Sequence, residues 1–252
     1  MKLEAIVLGE GPPVVLLHGL FGQARNFGAI QRRLAGVRRV IALDLRNHGG
    51  SPHAAGMRYA AMAADVRETL AGLGALPAAV IGHSMGGKVA MALALTAPEA
   101  VSRVLVADIA PVGNPPRFAP IIAAMRALVL TPDLTRAAAD AALAEAVPDA
   151  SMRGFLLQNL RFGAAPAWRP GLAEIADGLD DILGWPEFGA TYDGPALFLG
   201  GARSDYILPE HRPVIRALFP RARMAVLKDA GHWLHADNPE GFLAVVEAFL
   251  NG

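Results

Sequence analysis

The chain of 252 residues contains no cysteine and only three lysines, Lys2, Lys88 and Lys228. The absence of cysteine excludes disulfides, thiolate metal sites and a cysteine nucleophile. There is no apolar run of about 18 residues or more, so no membrane-spanning helix is predicted, and with no readable signal segment we expect a cytoplasmic protein. Basic and acidic residues both number 23, which gives zero formal net charge and argues against nucleic-acid binding.

Hydrophobic residues make up 53% of the chain, enough to bury a large core. Short apolar runs, rich in β-branched residues, alternate with helix-like segments in the first part of the sequence. The predicted strands are 14–17, 39–44, 78–82 and 101–107, and the predicted helices between them are 24–35, 58–73 and 85–96. This alternation predicts right-handed βαβ units and an α/β fold with a parallel sheet.

The strand rhythm stops at Pro111 and resumes at Pro195. Between these prolines the sequence predicts only helical segments. Two further strands, 195–200 and 223–228, and a last helix over 239–250 complete the pattern. We therefore expect an α/β core of residues 1–110 and 195–252. Residues 111–194 would be a helical insertion, either an extra packing layer or a lid over a site at the carboxyl edge of the sheet.

The motif Gly82-His83-Ser84-Met85-Gly86 lies where a predicted strand passes into a predicted helix. A G-x-S-x-G sequence in this context is typical of a nucleophile elbow, a sharp turn that exposes the serine hydroxyl. The glycines remove Cβ atoms that would clash in the turn. Ser84 is therefore the candidate nucleophile, at the N-terminal end of a helix whose dipole favours negative charge.

A serine nucleophile needs a base, and in this arrangement the histidine comes last in the chain. His232, in the loop after the final predicted strand, is the candidate base. Two carboxylates compete to orient it: Asp108 ends the strand before the insertion, and Asp205 lies in the loop after the strand 195–200. The residues themselves leave both open. The predicted oxyanion-hole donors are the backbone N–H groups of Met85 and Leu20, with Phe21 as the next choice.

Four motifs of the sequence resemble the α/β-hydrolase family: His18-Gly19, DLRNHGGS at 44–51, GHSMGG at 82–87 and GHW at 231–233. More narrowly, LLHGLFG, DLRNHG, GHSMGGK and DIAP in that order are similar to small YbfF-type esterases and their mitochondrial abhydrolase relatives. The resemblance implies an α/β-hydrolase fold with a mostly parallel central sheet, helices on both faces, and a helical lid inserted after the sixth strand. It also favours Asp108, because that branch carries its acid in the DIAP segment and a serine at the position of Ser204.

The resemblance implies hydrolysis of small acyl esters or thioesters by an acyl-enzyme mechanism, with no metal or organic cofactor. Seven of the 16 aromatic residues fall in 111–194, which suits an apolar acyl group. The predicted substrate-binding residues are Phe21, Phe155, Trp185, Tyr206 and Trp233. We expect a carboxylic ester hydrolase for short- to medium-chain acyl groups.

Three other readings remain. An acyl-coenzyme A thioesterase could use arginines predicted near the mouth of the site, namely Arg25, Arg32, Arg33 and Arg46. A carbon–carbon bond hydrolase or a cofactor-free perhydrolase would use the same triad. A non-catalytic binding module is disfavoured, because such proteins typically lose a triad member. The sequence does not predict the oligomeric state.

Overall fold

The computed structural model describes residues 1–252. The main sheet has seven strands in the order β1-β3-β2-β4-β5-β8-β9, and all neighbours are parallel except β1 and β3. These strands are β1 (Ala5–Leu8), β2 (Pro13–Leu17), β3 (Arg39–Leu43), β4 (Ala78–His83), β5 (Val101–Ala107), β8 (Ala196–Gly201) and β9 (Ala222–Leu227). The α/β fold expected from the sequence is therefore the fold observed.

Helices cover both faces of the sheet. They are α1 (Gly28–Leu34), α2 (Tyr59–Gly72), α3 (Met85–Thr96), α9 (Arg212–Leu218), α10 (Leu234–Asp237) and α11 (Pro239–Asn251). Residues of α2 and α3 join a cluster of 48 buried hydrophobic residues, and residues of α1 and α11 join a second cluster of 21. Along β2, Val15 and Leu17 enter the larger cluster while Val14 and Leu16 enter the smaller one. This alternation explains why the strands read as apolar on both sides.

The segment 111–194 contains five helices of five to nine residues: α4 (Ala119–Ala127), α5 (Arg136–Leu143), α6 (Ala150–Leu156), α7 (Leu172–Asp177) and α8 (Leu179–Leu183). It is not purely helical, because β6 (Leu160–Arg161) and β7 (Ala167–Trp168) pair as a small hairpin. Its buried residues, such as Met125 and Ile175, belong to the larger cluster. The segment thus packs on the α2–α3 side of the molecule.

The start of the chain differs from the expectation in one respect. The insertion follows the fifth strand, β5, rather than the sixth. Only β1 precedes β2, since the residues before Pro13 supply one four-residue strand and a glycine-containing turn. None of the helices is both long enough and apolar enough to cross a membrane.

Candidate active site

Ser84 occupies a sharp turn between β4 and α3. Its backbone has φ 53° and ψ −120°, a left-handed φ that is uncommon for a residue with a side chain. A Cβ atom on Gly82 would lie 2.1 Å from the carbonyl oxygen of Gly86, and one on Gly86 would lie 2.3 Å from that of Leu17. Both distances are far below van der Waals contact, so the turn requires glycine at these two positions.

The structure brings Ser84, His232 and Asp108 into one hydrogen-bonded chain. His232 Nε2 lies 3.0 Å from Ser84 Oγ, and His232 Nδ1 lies 2.8 Å from Asp108 Oδ2. Asp108 directly follows β5 and is fully buried. Its carboxylate also accepts hydrogen bonds from the Gly201 N–H and the Ser204 hydroxyl. This arrangement suits a base whose tautomer is fixed by a carboxylate on the far side of the ring.

Asp205, the other candidate acid, does not contact His232. Its carboxylate instead accepts a hydrogen bond of 2.8 Å from Arg117, and both side chains are more than half exposed. The Arg117 guanidinium holds the pKa of Asp205 below its usual range. The preceding residue, Ser204, points its hydroxyl at Asp108. The alternative that Asp205 orients the histidine is therefore wrong, because the loop directs its carboxylate to the surface.

Two of the three predicted oxyanion donors remain available. The Leu20 N–H donates to no group within the chain, and the Met85 N–H is the first of α3, where helices have no internal acceptor. The Phe21 N–H instead donates to His48 Nε2 over 3.1 Å. Phe21 is therefore corrected as an oxyanion donor, since its only N–H is already bound.

Four neutral histidines surround these groups; His18, His48 and His83 are buried, and His235 is partly buried. Burial lowers the pKa of His18 and of His235 to about 4 and that of His48 to about 3. Burial also places the pKa of His83 well below its usual range. His83 Nε2 lies 2.7 Å from the carbonyl oxygen of His232, so its N–H donates there and helps to fix the candidate base. This contact gives His83 a structural role beside the candidate base.

A cavity of about 270 Å³ opens over Ser84 and His232. Four of the five predicted substrate-binding residues line it: Phe21, Phe155, Tyr206 and Trp233. The Tyr206 ring stacks on the His232 imidazole with centroids 3.9 Å apart. The sequence reasoning missed several further lining residues, among them Phe118, Ile121 and Met152 of the insertion. Phe118 was visible as an aromatic residue of that segment, but no pattern indicated which of its aromatic residues face the site.

Trp185 does not line this cavity. Its ring packs against Tyr59 at 5.9 Å and Phe188 at 5.1 Å between centroids. The side chain therefore belongs to the packing of the insertion on α2, and its predicted role in substrate binding is corrected.

Lys88 lines a second, narrow compartment of about 20 Å³ that also reaches Ser84. Its ammonium donates hydrogen bonds to the carbonyl oxygens of Leu183, at 3.1 Å, and Gly184, at 2.8 Å. Burial lowers the pKa of Lys88 to about 7.

Two of the arginines considered for binding coenzyme A make contacts elsewhere. Arg46 pairs with Asp65 in the interior, and Arg25 donates a hydrogen bond to the carbonyl oxygen of Gln158. No group of three or more His, Cys, Asp or Glu side chains is placed to hold a metal ion.

Known proteins are similar to this chain in sequence and fold over nearly its full length. The family model described as alpha/beta hydrolase fold matches residues 12–239. A mouse (Mus musculus) protein named sn-1-specific diacylglycerol lipase ABHD11 is 42% identical over 248 residues, which cover 95% of this chain and 81% of its own. Esterase YbfF of Escherichia coli (strain K12) is 38% identical over 240 residues, which cover 95% of this chain and 93% of its own.

A solved structure described as a marine microorganism esterase superposes with a TM-score of 0.94 at 34% identity. The match covers 98% of this chain and 99% of that one. The extent of these matches, together with the serine turn at the carboxyl edge of the sheet, shows that the chain belongs to the α/β-hydrolase family.

Proposed function

We propose that this α/β-hydrolase is a serine esterase that cleaves carboxylic esters of short- to medium-chain acyl groups. The observation that carries the proposal is the hydrogen-bonded chain from Ser84 Oγ through His232 to the buried Asp108 carboxylate. Two free backbone donors, the N–H groups of Leu20 and Met85, complete the set that acyl transfer requires. The curated relatives support ester chemistry, since they are named as an esterase and a lipase.

The proposed reaction has two halves. In the first, His232 Nε2 takes the proton of Ser84, and Ser84 Oγ attacks the acyl carbonyl carbon to form a tetrahedral oxyanion held by the Leu20 and Met85 N–H groups. The C–O bond to the alcohol then breaks, and the alcohol leaves with the proton from His232. In the second, His232 takes a proton from water and the water oxygen bonds to the acyl carbon. The bond between that carbon and Ser84 Oγ then breaks, Ser84 Oγ takes the proton from His232, and the acid is released.

The size and lining of the cavity support a small apolar acyl group. Its volume of about 270 Å³ is near the lower limit of cavities that bind drug-sized ligands, about 300 Å³. Phe118, Ile121, Met152 and Phe155 all come from 111–194 and form an apolar wall. We propose on this basis that 111–194 acts as a lid on a core of residues 1–110 and 195–252. The cytoplasm remains our proposed compartment.

The function is tested with a series of p-nitrophenyl esters from acetate to palmitate. Hydrolysis should peak at short to medium chain length, and Ser84→Ala should lower kcat by a factor on the order of 10⁶, as loss of a catalytic triad serine does elsewhere. Ser102→Ala is a matched control, because Ser102 is exposed on β5 and its loss should not change kcat.

Hydrolysis that survives in Ser84→Ala would contradict the mechanism. A folded protein that cleaves none of the esters would contradict the substrate class. In that case acyl thioesters are tested next, and then carbon–carbon cleavage and perhydrolysis, which would use the same three side chains.

A further inference from the structure

The turn Gly19–Gly22 carries the Leu20 N–H. Each of the three peptide groups between Gly19 and Gly22 is held by at least one hydrogen bond. The Gly19 carbonyl oxygen accepts hydrogen bonds from the Gly22 N–H at 2.9 Å and from His18 Nδ1 at 2.8 Å. This carbonyl and the Leu20 N–H belong to the same planar trans peptide and point in opposite directions. Fixing the carbonyl therefore fixes the direction of the candidate oxyanion donor.

The next peptide group is held by a histidine from a different loop. The Phe21 N–H donates to His48 Nε2, so that nitrogen carries no proton. The proton is on Nδ1, which donates to the Arg46 carbonyl oxygen over 2.8 Å. The fully buried His48 ring is neutral, so it remains an acceptor for the turn.

The third peptide group is held by the insertion. Asn159 Nδ2 donates to the Phe21 carbonyl oxygen over 2.7 Å, across 138 residues of sequence. The side chain is 1% exposed, and its Oδ1 atom is buried without a partner. Asn159 therefore contributes to this contact only as a donor. The Asn159 side chain must point its Nδ2 at the turn, because the reverse orientation would place Asn159 Oδ1 against the carbonyl oxygen of Phe21.

A short 3₁₀ helix, Leu157–Asn159, places this amide against the turn. The Arg25 guanidinium donates to the Gln158 carbonyl oxygen at 2.8 Å. Arg136, from α5 of the insertion, donates to the Leu157 carbonyl oxygen at 3.1 Å. The position of the 3₁₀ helix is thus fixed from both the core side and the insertion side.

We infer that Asn159 is a positioning residue through which the insertion fixes the oxyanion hole. Its amide restrains the Phe21 peptide and so maintains the direction of the Leu20 N–H beside Ser84. The inference rests on the proposed function, because it assigns Leu20 a role in stabilising the oxyanion. It also assigns the insertion a role in the chemical step, beyond forming a wall of the cavity.

The expected effect follows from how strongly oxyanion stabilisation depends on geometry. Removing one such donor lowers kcat by about 10²–10³, so displacing a donor that is still present should cost less. We expect Asn159→Asp, which keeps the shape but replaces the donor with a carboxylate, to lower kcat by about 10- to 100-fold. KM should change less than about threefold, because the apolar wall of Phe118, Ile121, Met152 and Phe155 is unaltered.

The test compares Asn159→Asp with wild type on the best ester, with active sites counted by phosphonate labelling. A trifluoromethyl ketone of the same chain length, which forms a tetrahedral oxyanion on the serine, should lose affinity by the same factor as kcat. Arg161→Ala is the control, since Arg161 is exposed and its guanidinium donates a hydrogen bond to the carbonyl oxygen of Ala165, in its own hairpin. A structural defect alone would reduce the number of active sites and leave kcat per site unchanged.

The inference is overturned if Asn159→Asp keeps kcat and ketone affinity within twofold of wild type, or if only KM changes. If that variant does not fold, Arg136→Ala tests the same contact from an exposed position and should lower kcat and ketone affinity together. The Leu20 amide resonance in ¹⁵N-labelled protein separates this inference from the proposed function, because it needs no turnover. It should shift in Asn159→Asp and not in Arg161→Ala, and an unshifted resonance would refute the positioning role even in a protein without esterase activity.

Discussion

Five residues other than glycine have a left-handed backbone: Phe21, Asn47, Ser84, Asp108 and Asp229. None of them lies in the insertion. Such conformations cost about 1–3 kcal/mol each for residues with side chains and persist only where the surroundings enforce them. The loops at the carboxyl edge of the sheet therefore store local strain and hold their side chains in fixed directions.

The insertion is built differently. Its five helices have at most nine residues, and helices of that length are marginal in isolation. Arginine side chains hold its loops, as where Arg153 donates to the carbonyl oxygens of Val147 and Pro148. The candidate reacting groups therefore lie on the strained loops at the carboxyl edge of the sheet, which we call the frame. The cavity wall contributed by the insertion depends on the packing of short helices, so substitutions there should alter its shape more readily.

The largest expected effect comes from comparing two carboxylates: the buried Asp108 at the end of β5, and Asp205 on the exposed loop after β8, which pairs with Arg117 of the insertion. Asp108→Asn should lower kcat by a factor on the order of 10⁴, because an amide no longer holds the histidine in the required tautomer. Asp205→Asn should change kcat by less than about threefold, since its exposed pairing with Arg117 contributes little. Ester hydrolysis per active site measures both, and equal losses in the two variants would refute the assignment of Asp108.

The loss of stability in acid should come from histidines outside the insertion, because the insertion contains no histidine. His18 and His235 remain neutral in the folded protein down to a pKa of about 4, whereas in the unfolded chain they bind protons below about pH 6.5. Between these values the unfolded state binds more protons, so the free energy of unfolding falls as the pH is lowered, by up to about 1.4 kcal/mol per pH unit for each such histidine.

Urea unfolding between pH 4.5 and 7.5 measures this slope. His235→Phe should make it shallower, because the ring packs between Phe27 and Phe242 and an aromatic replacement has no proton to gain. Trp185→Phe, a change in the insertion, should lower stability at every pH without altering the slope. An unchanged slope in His235→Phe would show that this histidine is not what makes the fold sensitive to acid.

The smallest effect is expected within the insertion. Phe155 lines the cavity, so Phe155→Ala should move the optimum towards longer esters and raise the relative rate on them by about three- to tenfold. Trp185→Ala should leave the chain-length profile in place, because its ring packs on Tyr59 outside the cavity. The ester series measures both profiles, and a shift in Trp185→Ala alone would reverse the assignment of the two aromatic residues.

The strands and the serine turn could be predicted because their signals are local. An apolar run covered on both faces is recognisable without its neighbours, and the glycines of the turn are required by its own backbone. β1 was not predicted, since Ile6, Val7 and Leu8 remain 37–40% exposed on an edge strand with no buried run.

The choice between Asp108 and Asp205 could not be made from the residues alone. Both follow strands that end at the same edge, and their separation depends on the direction in which each loop points its side chain. The same limit applies to Phe155, in α6, and to Trp185, in the loop after α8, because both are aromatic residues of the insertion. Asn159 gave no signal at all, because its partner is a backbone carbonyl 138 residues away.

The distance along the chain between the reacting groups has a consequence for synthesis. Ser84 is made 148 residues before His232, and β8, which holds Asp108 through Gly201, also follows the insertion. A ribosome-bound chain that has completed the serine turn and the insertion still lacks its base. In the proposed mechanism the serine therefore has no base during most of translation, and the nascent protein becomes reactive only after the last parallel strand has joined the sheet.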